Sequence, residues 1–159
     1  MIDLDGLVTP ERTLIDLRGG SKRQVLQNLA EAAGLATGVE PGRVLDALLA
    51  RERLGTTGLG EGVAIPHARI EGLKELIGFF ARLARPVDFD ALDGEPVDLV
   101  FLLLAPDVVG VDHLKALARI ARVMRDPVLC AALRAAKTAA DAHAILTGGD
   151  ERPQAGPTP

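Results

Sequence analysis

Val97-Asp98-Leu99-Val100-Phe101-Leu102-Leu103-Leu104 runs with a single polar break. The stretch continues only to Ala105 before Pro106, far short of the ~20 apolar residues that cross a bilayer. It is rich in β-favouring side chains and reads as a strand. Successive strand side chains point to opposite faces, so this run is covered on both sides, in the manner of strands buried in parallel sheets. Such a strand needs apolar helical layers above and below it.

The chain supplies them. Ser21 and Gln24 have the spacing of a helix start, and Val25, Leu26, Leu29, Ala30 and Ala33 follow at helical intervals, with Gly34 as the expected end. A second helix is predicted from Pro41, with Val44, Leu45, Leu48 and Leu49 as its stripe and Gly55 just beyond it. Leu76 to Leu83 predicts another strand, and Asp93-Gly94 a turn before the central one. Asp112 is the expected N-cap of a third helix that buries Leu114, Leu117, Ala118, Ala121 and Met124. Pro127 opens a further helix, and Thr138 or Asp141 a last one ending at Gly148. Strands alternating with helices predict an α/β fold: a single-domain mixed sheet flanked by helices on both faces. The folded domain is expected over residues 1–148, with 149–159 as a flexible, Gly/Pro-containing C-terminal tail.

Composition narrows the function. The 159 residues suffice for one domain with a real core. Aromatics are 3%, too few for a base-stacking platform, and the net charge is −4, so no global basic field attracts nucleic acid. One cysteine, Cys130, cannot form an internal disulfide framework, and the N-terminal stretch lacks a leader pattern. The expectation is a cytoplasmic protein without direct membrane insertion.

The chemistry concentrates in Gly55-Thr56-Thr57-Gly58-Leu59-Gly60-Glu61-Gly62-Val63-Ala64-Ile65-Pro66-His67-Ala68-Arg69. The glycines match neither the Walker pattern nor GxGxxG, because no Gly-Lys-Ser/Thr follows and Ile65 stands where a third glycine would fall. They serve either as a plain connection or as a loop whose backbone approaches an anion or a partner at Thr57, Gly58 and Gly60. His67 is either a surface histidine in a turn or a nucleophile. A phosphoryl-accepting histidine needs a fixed ring, an unprotonated nitrogen and nearby cations. Pro66 restrains the backbone, and Arg69 and Arg51 are the candidate cations.

His113, at a predicted helix start, is a second candidate for anion contact, and Asp112 could orient its ring. A metal is the competing use of His67 and His113, but no HExxH or CxxC accompanies them, and no metal or other cofactor is expected. His143, among alanines, reads as structural. Lys115, Arg119 and Arg122 read as a solvated helix face.

From Arg51 to His67 the chain resembles the active-site segment of IIA proteins of the bacterial phosphoenolpyruvate-dependent phosphotransferase system, mannitol/fructose class. The resemblance runs from about Leu14 to Leu146. It implies that His67 receives a phosphoryl group from a histidine phosphocarrier protein, with His113 and Arg51 at the site. The stretch from Phe89 to Leu99 resembles the nitrogen-regulatory branch, and no IIB-like segment with its own cysteine accompanies the domain. That branch implies regulated cytoplasmic target proteins as partners. The alternative is a sugar-transport component that relays phosphate to a separate IIB protein. Ala68-Arg69 departs from the glycine and lysine of many relatives. The cation is kept, while the lost glycine bears on how closely a partner's backbone approaches.

Overall fold

The expected central strand is β6, Val97–Pro106, in a computed structural model that describes residues 4–108 and 112–151. Its side chains alternate between two apolar layers. Leu99, Phe101 and Leu103 enter one core, and Val100, Leu102 and Leu104 the other. On one side β6 pairs antiparallel with β5, Ile77–Val87. On its other side it pairs parallel with β3 (Val63–Ala64) and β4 (His67–Ile70), which lie end to end along it. The burial on both faces therefore comes from the helical layers and not from an all-parallel sheet. Two further strands complete the mixed sheet: β1 (Thr13–Leu17), parallel to β5, and β2 (Gly58–Gly60), antiparallel to β3.

One layer holds α2 (Lys22–Thr37) and α3 (Pro41–Arg53), which bury Val25, Leu26, Leu29, Val44 and Leu48 against the sheet. The opposite layer holds α1 (Leu4–Leu7), α4 (Asp112–Met124), α5 (Pro127–Ala135) and α6 (Ala139–Glu151). The expected architecture of a mixed sheet between two helical layers is the observed one.

Several boundaries differ from expectation. Gly34 does not end α2, which continues to Thr37 and is capped by Gly38 in the left-handed conformation at φ 79°. A Cβ on Gly34 would meet Pro41 Cγ at 2.7 Å and the Val39 carbonyl at 2.9 Å, so this glycine admits the chain returning into α3. β1 was too short, and β2 too glycine-rich, to register as strands in the sequence. Thr138, whose hydroxyl accepts from Asp141 N, opens α6. That helix runs past Gly148 to Glu151, so this glycine lies inside the helix and does not end it. The rest of the expected tail, residues 152–159, lies outside the described residues.

The buried face of α4 also differs. Ala116, Ile120, Val123 and Met124 enter the core, while Leu114 and Ala118 are exposed. This helix is apolar on more than one side, and the sheet takes the side that leaves Leu114 facing the region of His67. Among the described residues no helix is long and apolar enough to cross a membrane.

Candidate functional site

His67 begins β4, directly after Pro66, and pairs with Leu103 of β6. The Pro66 carbonyl accepts from Leu103 N at 3.0 Å, so the backbone entering His67 is already held to the central strand. Residues i and i+2 of a strand share a face, which puts His67 and Arg69 on one side of β4. Ala68 points the other way and packs against the core under α3.

Two hydrogen bonds decide the state of the ring. His67 Nδ1 lies 2.8 Å from the Ile65 carbonyl oxygen. A carbonyl only accepts, so Nδ1 carries the proton. Arg51 Nε donates to His67 Nε2 at 3.2 Å. A guanidinium only donates, so Nε2 carries the lone pair. Burial pushes the imidazole below the ordinary histidine range. The positive charge of Arg51 and the neighbouring His113 act in the same direction, while the bond to Ile65 and the Glu52 carboxylate oppose them. The result is a neutral ring whose available nitrogen sits under an arginine.

Arg51 lies in the last turn of α3, where a cation suits the helix dipole. Its Nη1 donates to the Gly55 carbonyl at 2.9 Å, which ties the guanidinium to the start of the glycine loop. From the opposite wall, Arg69 Nη2 donates to His113 Nε2 at 3.1 Å. His113 stands in the first turn of α4. His67, Arg51, Arg69 and His113 therefore line one cavity of about 490 Å³ between α3, β4 and α4. A second hollow of about 380 Å³ flanks His67 on the side of Thr57, Leu59 and Ala118. Exposed Leu54, Leu59 and Leu114 surround these openings with apolar surface.

The glycine loop has a different internal logic from that of an anion cradle. Thr57 donates from its amide to Glu52 Oε1 at 3.2 Å, and its hydroxyl donates to Glu52 Oε2. Gly58 is in β2, and a Cβ there would meet Ala91 Cβ at 3.0 Å. Gly60 has φ 103° and lies against the Asp93 carboxylate. Asp93 Oδ2 in turn accepts from Glu61 N at 2.8 Å at the tip of the β2–β3 hairpin. Thr57 thus reaches the rim of the site, whereas Gly58 and Gly60 shape the hairpin against the 91–93 turn.

Two residues of this region were not singled out from sequence. They are Glu52, which follows Arg51 in the segment of the resemblance, and Lys22, which follows Ser21 at the start of α2. Lys22 Nζ lies 2.7 Å from Glu52 Oε1. The available signal was a lysine in the first turn of a helix, against the dipole. The other candidates have local partners: His143 Nε2 donates to the Val8 carbonyl at 2.9 Å, and buried Cys130 donates to the Met124 carbonyl at 3.1 Å. Among the described residues no group of three or more His, Cys, Asp or Glu could hold a metal ion.

His67 is thus a half-buried neutral histidine at the start of β4, under Arg51 and in one cavity with Arg69 and His113. Residues 7–148 match the family described as "Phosphoenolpyruvate-dependent sugar phosphotransferase system, EIIA 2", and the chain belongs to that family. Over nearly their whole length its relatives include nitrogen regulatory proteins. The one from Bradyrhizobium diazoefficiens is 53% identical over 140 residues, covering 88% of this chain and 92% of that one. The one from Pseudomonas aeruginosa is 42% identical, covering 92% and 96%. The crystal structure of nitrogen regulatory protein IIA-Ntr from Neisseria meningitidis matches with a TM-score of 0.86 at 35% identity, over 91% of this chain and 99% of that one. The branch expected from residues 89–99 is the one these relatives carry in their names.

Proposed function

We propose that this chain is a phosphoryl-accepting regulatory IIA protein, with His67 Nε2 as the acceptor and a histidine phosphocarrier protein as the donor. The observation that carries the reading is the pair of bonds that protonates Nδ1 and leaves the lone pair on Nε2. In the transfer, that lone pair forms the new N–P bond as the bond from phosphorus to the donor's nitrogen breaks. The proton stays on Nδ1, donated to the Ile65 carbonyl, and holds the ring through the displacement. Arg51 gives up the lone pair and turns its charge to the phosphoryl oxygens. Arg69, and the His113 ring that it holds, complete the wall of the site.

The regulatory role, directed at nitrogen, carbon or potassium status, is supported by the nitrogen regulatory relatives. The output is a change of charge at a surface. His67 gains an anionic phosphoryl group with several acceptor oxygens, beside exposed Leu59 and Leu114. A partner that covers this apolar rim has to desolvate that anion in one state and not in the other.

The test is incubation with phosphoenolpyruvate, enzyme I and the phosphocarrier protein. The expected product is an acid-labile, alkali-stable phosphoramidate that His67→Ala abolishes. Label retained in His67→Ala would remove His67 as acceptor. Cytoplasmic proteins captured by the unmodified and the phosphorylated chain should then differ. Identical capture would favour simple relay of phosphate to a separate IIB protein.

A further inference from the structure

Glu52 places a carboxylate inside the protein, immediately after the arginine that covers His67. Its side chain is 6% exposed. Two of its hydrogen bonds come from Thr57 and are neutral. The charge is met by Lys22, at 2.7 Å. Lys22 is the first residue of α2, and no acidic residue stands in that turn. A cation there opposes the helix dipole. Its ammonium lies over the Phe89 ring, 5.6 Å from the centroid, and also approaches the Phe89 carbonyl at 3.4 Å and exposed Asp90 at 3.7 Å. A lysine thus occupies an unfavourable helix position and reaches back to a single buried carboxylate.

We propose that Lys22 is a positioning residue for phosphoryl acceptance: by neutralising buried Glu52 it leaves the Arg51 guanidinium to His67 and keeps an uncompensated negative charge away from the incoming phosphoryl group. The inference rests on the proposed role of His67. Its physical core is that a buried carboxylate that loses its cation is left as an uncompensated charge. Glu52 already bears on the His67 ring, opposing burial and Arg51, and in the proposal Arg51, its neighbour in α3, is the cation drawn away from His67 Nε2. The charged or titratable groups bearing on the ring are Arg51, Glu52 and His113. Lys22 acts on this set through Glu52.

The experiment follows the His67 ring by NMR titration in the full chain, for wild type, Lys22→Met, Lys22→Arg, Glu52→Gln and the double variant Lys22→Met/Glu52→Gln. Lys22→Met is expected to raise the titration midpoint by about 0.5 pH unit, roughly threefold in proton affinity. It should lower the phosphorylated fraction at equilibrium with the phosphocarrier by a similar factor. Lys22→Arg should stay near wild type. Glu52→Gln and the double variant should titrate alike, because without the Glu52 carboxylate Lys22 has no buried charge beside the site to neutralise.

A folded Lys22→Met chain with the wild-type midpoint overturns the proposal. So does a Lys22→Met effect of equal size with and without Glu52. If Lys22→Met does not fold, the comparison of Glu52→Gln with the double variant decides: like titrations support the proposal and unlike ones overturn it. The titrations need no phosphoryl donor. A wild-type chain that accepts no phosphoryl group therefore defeats the proposed function and is distinguishable from a failure of the Lys22–Glu52 coupling.

Discussion

Arg51 donates across 3.2 Å to His67 Nε2, the nitrogen proposed to attack phosphorus. In the resting state the guanidinium both lowers the ring's affinity for a proton and occupies its lone pair. The arrangement keeps the nucleophile unprotonated and makes departure of Arg51 from Nε2 part of the transfer.

The first prediction concerns pH. Burial, then Arg51, sets the His67 pKa below the ordinary value of about 6.5. Phosphoryl acceptance, measured by rapid quench, should therefore persist below pH 6.5 and fall only as the lower native pKa is passed. Stability follows the same sign. The unfolded chain binds the proton more readily, so the stabilisation from a neutral His67 is complete above about pH 6.5 and is lost as pH falls toward the native pKa. Denaturant melts of wild type and His67→Ala should converge over that window. An acceptance midpoint at or above 6.5 would contradict the assignment.

Arg51→Ala and His113→Ala should each slow transfer while leaving His67 the acceptor. A donor aimed directly at the developing charge contributes about 10²–10³ in rate. Arg69→Ala should act in the same direction, since it removes the donor that holds His113 Nε2. Single-turnover rates check all three, with thermal melts as the control for folding.

Arg82 tests the scaffold apart from the site. From β5 its Nη1 donates to the carbonyls of Leu133, Arg134 and Ala136, closing the C-terminal end of α5. Its side chain is 15% exposed. Arg82→Met should destabilise the fold by about 1–3 kcal/mol, the cost of leaving such acceptors without a donor. Phosphoryl acceptance at a temperature where the variant is folded should be unchanged.

Two glycines should respond oppositely to alanine. Gly34→Ala forces a methyl onto Pro41 and the Val39 carbonyl, and overpacking of this kind costs about 1–3 kcal/mol. Gly148 has open space within α6, so Gly148→Ala should stabilise by up to about 1 kcal/mol. Urea melts of the two variants beside wild type settle both signs.

The sequence by itself determined the layers and singled out the histidine proposed as the acceptor. An apolar run at β6 with no face left polar requires cover on both sides, and the helical stripes around Leu29 and Leu48 could supply it only by packing on the sheet. Pro66 before His67, with arginines at 51 and 69, was likewise legible, because proline restraint and charge are local properties.

Tertiary structure alone decided what is non-local. Which side of α4 enters the core could not be read from a helix that is apolar on several sides, and the answer leaves Leu114 beside the site. The tautomer of His67 depends on a carbonyl and a guanidinium that only the packed α3 and β4 bring to opposite nitrogens. The same holds for Lys22 and Glu52, on separate helices. Nothing in either helix alone marks the lysine as the partner of a carboxylate, since the ion pair exists only once packing has taken both charges out of water.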